Sequence, residues 1–333
     1  MQSIEADYNI VTPMFIGGGD KADAPEIRPP SVKGALRFWW RALQWGACLN
    51  LCHQNASAAL KELHRQEAEL FGAAVKVKEE TYGQGLCRIK LKNVQPKGIE
   101  QGWPKNNDGG AGFLGYGLDA TQNGDPHRKA ISQGSFTVCL MLKATISSEQ
   151  VNQLKNTLLL WGLLGGLGSR SRRGFGSVAI KRLDAQDFDF KQSVDYYKCI
   201  NDLLKPIDFA PAIPLFTALN EAMNIAQVGK HKDFKRLMDQ LGAQYKLARQ
   251  EAGKGRAKAP FGLPLAGNKG GEDESRRSSP LLMHIHSVNN EFVAMVTFIP
   301  AKFHYDYRDS DTILFYKALQ NFMNKVTIDK VYP

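Results

Sequence analysis

Hydrophobic and polar residues alternate along four segments of the N-terminal half of the chain. A period of two is typical of a strand that buries one of its faces. The pattern predicts strands over residues 4–10, 86–94, 136–142 and 178–180. The second of these carries lysine or arginine at alternate positions, so one face of that strand is basic.

Between these strands, apolar residues follow helical spacing. Val32, Leu36 and Leu43 share one face of a helix that begins after two prolines. Helices are predicted over residues 31–51, 58–70 and 147–164. The resulting order over residues 1–183 is β-α-β-β-α-β with one inserted helix. This order is typical of the ferredoxin-like fold, which RNA-recognition sheets also use.

A similar order recurs in the C-terminal half. A strand, a helix, a hairpin and a helix are predicted over residues 213–218, 232–249, 281–299 and 312–326. The chain is therefore predicted to be an α+β protein with two ferredoxin-like units, each an antiparallel sheet with helices on one face. We place the N-terminal domain at residues 1–183 and the C-terminal domain at 184–333. The glycine-rich stretch 253–277 has no periodicity, so we expect a long mobile loop there.

The charge of the chain indicates the kind of partner it binds. It has 43 lysines and arginines against 33 aspartates and glutamates, a formal net charge of +10. An excess of this size favours a polyanion, above all nucleic acid, and argues against an acidic enzyme that steers its substrate by charge. Hydrophobic residues make up 43% of the chain, which excludes wholesale disorder.

Cysteines and apolar runs indicate the compartment. The five cysteines are scattered and odd in number, so no disulfide framework is expected. The longest apolar run, residues 158–167, is much shorter than the roughly 20 residues that a membrane-spanning helix needs. The N-terminus lacks the basic start and apolar stretch of a secretory signal. We therefore expect a cytoplasmic protein without a membrane partner.

The densest chemical signal is a loop rich in glycine and arginine before the strand predicted at residue 178. Its sequence from Gly165 to Gly176 is G-G-L-G-S-R-S-R-R-G-F-G. Glycines let the backbone approach a ligand closely, and guanidinium groups bind phosphate through paired donors, so we expect a flexible phosphate-binding loop. The candidate RNA-binding residues here are Gly166, Gly168, Arg170, Arg172, Arg173 and Gly174. The alternative is a basic surface turn whose glycines serve only geometry.

A second signal lies on the first predicted helix. Lys33, Arg37 and Arg41 are four residues apart and form one stripe. Phe38 and Trp45 border the stripe, so cations and aromatic rings are interleaved, as in proteins that hold phosphates and stack bases. We expect this stripe and the glycine-rich loop to converge into one RNA-binding groove. The alternative is a solvated face with aromatic residues packed beneath it.

Three further arginines stand beside predicted elements. Arg28 precedes the first helix, where anions bind readily to the free N–H groups. Arg276 and Arg277 precede the strand predicted from residue 281. We count all three as candidate RNA-binding residues, although an ordinary charged turn explains the last two as well.

Several of these segments match a known family. Residues 12–18, T-P-M-F-I-G-G, and 28–41, R-P-P-S-V-K-G-A-L-R-F-W-W-R, resemble the opening signature of the first-subunit family of the Cmr complex, the type III-B CRISPR RNA-guided effector. Residues 166–174 fit the G-h-G-x5-G loop of the wider RAMP superfamily. The sequences F-G-L-P at 261–264 and R-S-S-P-L at 277–281 resemble C-terminal blocks of the same family. The resemblance thus spans nearly the whole chain.

The resemblance implies a non-catalytic subunit with two ferredoxin-like folds. No cofactor is expected, and no metal site either, because the possible zinc ligands Cys48, Cys52 and His53 lack further partners in the sequence. Such a subunit lies at the end of the assembly, near the 3′ part of the guide RNA (crRNA). It contacts guide RNA and target single-stranded RNA beside other RAMP subunits, in antiviral defence. By this analogy the RNA-facing positions are Lys33, Arg37, Arg41, Arg170, Arg172 and Arg173. Residues 95–133 match no motif, so no role is assigned to them.

Two other functions stay open from the sequence. Some RAMP relatives cut RNA without a metal, using histidine, tyrosine or lysine as acid and base. His127, beside Arg128 and Lys129, is the best single candidate for such a group, whereas His284 and His286 share a predicted strand face without an evident third partner. The other alternative is a basic adaptor that binds protein partners and no RNA.

Overall fold

The computed structural model describes most of the chain. The described residues are 2–17, 24–73, 76–77, 80–81, 83–119, 127–263, 277–302 and 312–332. The strands are β1 (Ser3–Ile10), β2 (Lys76–Val77), β3 (Glu80–Thr81), β4 (Cys87–Glu100), β5 (Ala130–Leu142), β6 (Val178–Leu183), β7 (Gln186–Asp187), β8 (Asn224–His231), β9 (Leu281–Val288), β10 (Glu291–Phe298) and β11 (Asp329–Tyr332). The α-helices are α1 (Pro29–Leu51), α2 (Ala56–Phe71), α3 (Gly109–Leu114), α4 (Ser148–Leu164), α5 (Ser193–Leu204), α6 (Phe234–Glu251) and α7 (Lys317–Val326). None of the helices in the described ranges has the length and apolar composition needed to cross a membrane.

The first sheet has the order β4-β5-β1-β6-β7, and α1 and α4 pack against it. Alternate residues of β1, from Ile4 to Ile10, are at most 4% exposed, as a period of two predicts. Among β1, β4, β5 and β6, the first strand in sequence lies between the third and the fourth. This is the ferredoxin-like arrangement that the sequence predicts. The additional helix α2 packs on α1.

The second sheet has the order β11-β8-β10-β9, and α6 and α7 pack against it. Its strands follow the same spatial arrangement, which confirms the second ferredoxin-like sheet. Its first strand is β8, however, and the prediction of a strand over 213–218 is wrong. Pro214 has no N–H for a ladder, and its carbonyl accepts from Lys302 N at 2.7 Å. The pattern misses β8 because Gln227 and Gly229 interrupt the apolar positions on one of its faces.

Residues 95–133, which match no motif in the sequence, contain regular elements. β4 and β5 extend into this segment as one long hairpin, and α3 lies between them. α3 packs on α6, a helix of the second sheet. The segment therefore joins the two sheets rather than forming a separate excursion.

The contact between α3 and α6 depends on glycine. A Cβ added at Gly110 would lie 2.0 Å from the Asp239 carbonyl oxygen, and one added at Gly242 would lie 2.0 Å from the Gly110 oxygen. The Asp239 Oδ1 atom accepts N–H bonds from Gly110 (2.7 Å) and Ala111 (3.2 Å). The backbones of the two helices are thus in direct contact, with a carboxylate at the start of α3.

Part of the predicted mobile loop, residues 253–277, is folded. Gly255–Phe261 forms a 3-10 helix whose last three residues are buried. The Tyr245 hydroxyl donates to Phe261 O at 3.0 Å and anchors this helix to α6. Residues 264–276 lie outside the described ranges, so the expectation of mobility is corrected only for the part before them.

Candidate nucleic-acid interface

The glycine-rich loop, residues 165–176, joins α4 to β6 and lies between the two sheets. We expected a flexible loop, but its backbone is held on both sides. Ser169 N donates to Phe15 O (2.7 Å), and Met283 N of β9 donates to Arg172 O (3.0 Å). The loop therefore presents its side chains from a fixed backbone.

Three glycines of this loop adopt conformations that favour glycine. Gly168 has φ +92°, and an added Cβ would lie 2.6 Å from Phe15 O. Gly176 has φ +60°, and an added Cβ would lie 2.0 Å from Leu167 O. Gly174 has φ +85° without such a close neighbour. At these positions the glycines are required by the path of the chain, which is the geometric role that the sequence left as an alternative.

Arg172 faces the first helix. Its Nη2 donates to Ser279 O at 2.7 Å, and its guanidinium carbon lies 5.5 Å from the centroid of the Phe38 ring. Its Nε is buried and has no hydrogen-bond partner. Burial, followed by the charges of Arg277 and Arg173, lowers the pKa of Arg172 to about 10. The guanidinium therefore lies in a desolvated and electropositive position.

Arg173 and Arg277 face the second sheet. The guanidinium carbon of Arg173 lies 4.3 Å from the Tyr245 ring centroid, and its Nη2 donates to Phe261 O at 3.4 Å. Arg277 donates from Nη2 to Lys302 O at 3.1 Å, and burial lowers its pKa. Each of the two arginines also has a buried nitrogen without a partner.

Arg170 and Arg128 lie at the other end of the loop. Arg170 has φ +60° and donates from Nη2 to Tyr116 O. Burial lowers its pKa, and the charges of Arg173 and Arg128 lower it further. Arg128 donates from Nη1 to the Ser169 hydroxyl at 3.2 Å. Nothing in the sequence selects Arg128 for this site, because only the fold brings it to this loop.

We call these five side chains the arginine cluster: Arg128, Arg170, Arg172, Arg173 and Arg277. Within the described ranges, no aspartate or glutamate forms an ion pair with any of them. Their hydrogen-bond partners are neutral carbonyl and hydroxyl groups. Four of the five have a buried guanidinium nitrogen without a partner, a state that costs about 1–3 kcal/mol each. The cluster thus combines positive charge that no carboxylate of the described residues neutralises with guanidinium nitrogens that have no acceptor in the described part of the chain.

A cavity of about 310 Å³ opens between α1 and the glycine-rich loop. Ser31 and Phe38 line it from α1, and Gly166, Gly168 and Arg172 line it from the loop. Two of the predicted stretches do meet here. An aromatic ring opposite a guanidinium allows a base to pack on the ring while a phosphate pairs with the cation.

The predicted stripe on α1 does not enter this cavity. Arg37 Nε lies 2.6 Å and Arg41 Nη1 lies 3.3 Å from the same Oε1 atom of Glu67 on α2, and the Glu67 side chain is 5% exposed. The stripe lies about 120° around α1 from the face that lines the cavity, at roughly 100° per residue. The expectation of one groove formed by the stripe and the loop is therefore wrong. A helical projection identifies residues that share a face, but not the element that covers it.

The other candidate residues on and before α1 each have neighbours in a different part of the chain. Lys33 is half-buried near Cys87 of β4. Its charge lowers the pKa of the Cys87 thiol, but burial has the larger, opposite effect and raises that pKa to about 12. Arg28 is exposed and donates from Nη2 to Gly17 O at 2.9 Å. Trp45 is 2% exposed and packs on Phe216 at 5.1 Å, so this ring belongs to the core. Arg276 lies outside the described residues.

On the face of the first sheet opposite its helices, two cations are paired with carboxylates of β1. Lys92 Nζ lies 2.5 Å from Glu5 Oε1, and Arg182 Nη2 lies 2.8 Å from Asp7 Oδ2. Carboxylates at the centre of the sheet thus neutralise cations beside them. RNA-recognition sheets stack bases on aromatic residues of this face. At the centre of this sheet the corresponding cross-strand pair is Asp7 and Thr137, neither of which is aromatic. The glycine-rich loop is the better candidate for RNA contact.

The candidate catalytic histidine has both ring nitrogens directed at carbonyl groups. His127 Nδ1 lies 2.9 Å from Arg128 O, and Nε2 lies 3.1 Å from Pro104 O. His284 and His286 are each 1% exposed and are joined to each other at 3.1 Å. The described residues contain no group of three histidine, cysteine or acidic side chains arranged to hold a metal.

Sequence comparisons relate the chain to a known superfamily. The family model described as the RAMP superfamily matches residues 7–179, which include β1, α1 and the glycine-rich loop. The chain is 28% identical over 324 residues to the CRISPR system Cmr subunit Cmr1-1 of Pyrococcus furiosus, over 90% of this chain and 87% of that protein. It is 30% identical over 189 residues to Cmr1-2 of the same organism, over 53% of this chain and 94% of that protein.

Solved structures share the fold. The crystal structure of Cmr1 from Pyrococcus furiosus in its apo form matches with a TM-score of 0.66 and 20% identity, over 100% of this chain and 99% of that chain. A chain in the cryo-EM structure of the Type III-B Cmr-beta bound to cognate target RNA matches with a TM-score of 0.61 and 12% identity, over 98% and 99%. The chain therefore belongs to the RAMP superfamily and, within it, to the family of the Cmr1 subunits.

Proposed function

We propose that this protein is a non-catalytic RNA-binding subunit of a type III-B CRISPR effector. It contacts crRNA and target single-stranded RNA near the 3′ part of the guide, beside other RAMP subunits. The observation that carries the proposal is the arginine cluster, whose guanidinium groups have neutral partners and of which Arg172 lines the cavity between α1 and the glycine-rich loop. The names of the relatives support the assembly to which the subunit is assigned.

The proposed mechanism is electrostatic positioning. Phosphates of the RNA backbone pair with the arginine cluster, whose forked donors suit phosphate oxygens. Phe38, on the opposite wall of the cavity, packs against a base or ribose. Sequence is read by pairing between guide and target, because backbone contacts carry no sequence information. The orientation of His127 toward two carbonyls supports a protein that holds RNA without cutting it.

Salt titration of labelled single-stranded RNA tests this proposal. The variant Arg128→Gln/Arg170→Gln/Arg172→Gln removes three charges from the cluster. Each phosphate contact contributes about 0.7 to the slope of log K against log salt for a single strand. We expect the slope to fall by up to about 2 and the affinity at low salt to fall at least tenfold. The RNA is expected to stay intact during the incubation.

The matched control is Arg65→Gln/Arg88→Gln/Arg182→Gln, which changes the net charge equally. Arg65 is paired with Glu62 and Glu69 on α2, and Arg182 is paired with Asp7. Equal losses in the two triple variants would mean that only net charge matters, and would overturn the assignment of the site. Unchanged RNA binding together with normal assembly in the cluster variant would favour the protein adaptor instead.

A further inference from the structure

Tyr116 is an exposed aromatic residue in the segment 95–133, to which the sequence assigned no role. Its relative exposure is 71%, and among the described residues with a large exposed hydrophobic side chain it is the only aromatic one. A single exposed apolar residue needs no explanation by itself. Two features of its surroundings, the turn that carries it and the charges beside it, do point to a ligand.

The turn that carries Tyr116 has a fixed backbone. Gly115 N donates to Ala111 O (2.9 Å), and Leu118 N donates to Gly115 O (3.0 Å). A Cβ added at Gly115 would lie 3.1 Å from the Phe175 ring, so the turn is packed against the core. The backbone is thus ordered by packing while the Tyr116 ring is left in solvent. A tyrosine held in this way offers a large contact area and loses little conformational freedom on binding.

Two members of the arginine cluster lie next to this turn. Tyr116 O accepts the N–H bond from Arg170 Nη2, and the Tyr116 side chain is near enough to raise the pKa of Arg170 slightly against the larger lowering effects. Arg128 N donates to Leu118 O at 3.0 Å, two residues after Tyr116. An exposed ring is therefore placed beside cations that have neutral partners only. Rings interleaved with cations are the arrangement by which single strands are bound without sequence preference.

We propose that Tyr116 stacks on an unpaired base of the RNA strand whose phosphates pair with Arg170 and Arg128. The inference rests on the proposed function and extends that site from the Phe38 cavity to the outer end of the glycine-rich loop. Every base has an aromatic face, so this contact accepts any base. Bases within a guide–target duplex are stacked between neighbours, so the ligand is a nucleotide outside the duplex.

Binding of oligonucleotides to the full-length chain tests the inference. The probes are a single-stranded RNA oligomer and the same oligomer with abasic sites. Replacing Tyr116 by Ala is expected to raise the Kd for intact RNA about fivefold to tenfold. The slope of log K against log salt is expected to stay the same, because no charge is removed. Tyr116→Phe is expected to bind like the wild type, and the abasic oligomer is expected to bind equally to the wild type and to Tyr116→Ala.

Leu314→Ala is the matched control, since Leu314 is an apolar side chain of similar exposure, 76%. Equal affinity of Tyr116→Ala and the wild type for intact RNA would overturn the inference, while a loss in the arginine variant would still support the proposed function. A wild-type chain that binds no RNA would overturn the proposed function itself. If Tyr116→Ala lost co-purification with Cmr subunits and kept its RNA affinity, the ring would be a protein contact and the inference would be wrong.

Discussion

The partner of each arginine, rather than the arginine itself, distinguishes the candidate positions. In the sequence, Arg37 and Arg172 are equivalent signals, since each belongs to a basic group beside aromatic residues. In the structure, Arg37 is paired with the buried carboxylate of Glu67, whereas Arg172 has a carbonyl and an aromatic ring as neighbours. The first arginine is largely neutralised, and the second keeps its charge.

Gly168 provides a test of the fixed backbone of the glycine-rich loop. Gly168→Ala places a Cβ at positive φ, 2.6 Å from Phe15 O, so we expect a loss of about 1–3 kcal/mol in the free energy of unfolding. The control is Gly34→Ala, because Gly34 is an exposed helical residue whose added Cβ has no neighbour within 4 Å. That change is expected to stabilise the protein by about 0.5–1 kcal/mol. Urea unfolding measures both, and equal stabilities of the two variants would contradict a loop held by Gly168.

The sequence was sufficient to select the glycine-rich loop as a candidate, because three arginines among five glycines stand out along the chain. It was not sufficient to identify Arg128 or Tyr116. Both lie in the segment 95–133, where the chain has no apolar period, and the hairpin and α3 bring them to the loop. Contacts between residues far apart in sequence depend on topology, and local patterns do not contain it.

The helix α1 shows how an element can satisfy its predicted spacing and still face another way. Lys33, Arg37 and Arg41 share one side of α1, as the spacing requires, but α2 lies along that side and supplies Glu67. Arg37 and Arg41 therefore join α1 to α2. A buried carboxylate with two guanidinium partners is stable only while a partner is present, because an unpaired buried charge is costly.

This pairing predicts an interaction between substitutions on α1 and α2. Arg37→Gln/Arg41→Gln leaves Glu67 without a cation, and we expect the free energy of unfolding to fall by about 2 kcal/mol. Adding Glu67→Gln is expected to restore at least half of that loss, since the buried charge is then removed. Urea unfolding of the double and triple variants is the measurement. A triple variant that is less stable than the double would mean that Glu67 needs no cationic partner.

The two sheets repeat one arrangement, and the sequence predicted both from the order of elements, although the first strand of the second sheet was assigned wrongly and its last strand, β11, was not predicted. The repeat was recoverable because the β9-β10 hairpin and the helices have strong patterns. The contact between the sheets could not be predicted from the sequence. It uses polar atoms of the interior, including His284 of β9, whose Nδ1 donates to Gly165 O at 2.8 Å. With Nδ1 as donor, Nε2 of His284 accepts from His286.

The histidine pair predicts a loss of stability at mildly acidic pH. Burial lowers the pKa of His284 to about 4, and burial together with the charges of His284 and Lys181 lowers that of His286 well below its ordinary value. In the unfolded chain both pKa values are near 6.5, so the unfolded state binds protons first as the pH falls. Stability present above pH 6.5 is therefore lost between about pH 6.5 and 4, by about 2 kcal/mol at pH 5 for His284 alone.

Urea unfolding at pH 7.5 and pH 5 checks this prediction. The comparison is with His284→Gln/His286→Phe, which is expected to be less stable at pH 7.5 but to lose less between the two pH values. The Phe side chain keeps the stacking of position 286 on Tyr196, whose ring lies 4.2 Å away. An identical loss in the variant and the wild type would assign the pH effect to other groups.

The glycine contact between α3 and α6 has a mechanical consequence. Gly110 and Gly242 leave no layer of side chains between the backbones of α3 and α6. Any sliding or hinging of one helix on the other would therefore bring backbone atoms into collision. The turn that contains Tyr116 follows α3 directly, and the Tyr116 carbonyl accepts a hydrogen bond from Arg170. Tension applied to a strand bound at the loop would consequently be shared by both halves of the chain. A bound strand would contact a rigid surface rather than two domains that close around it.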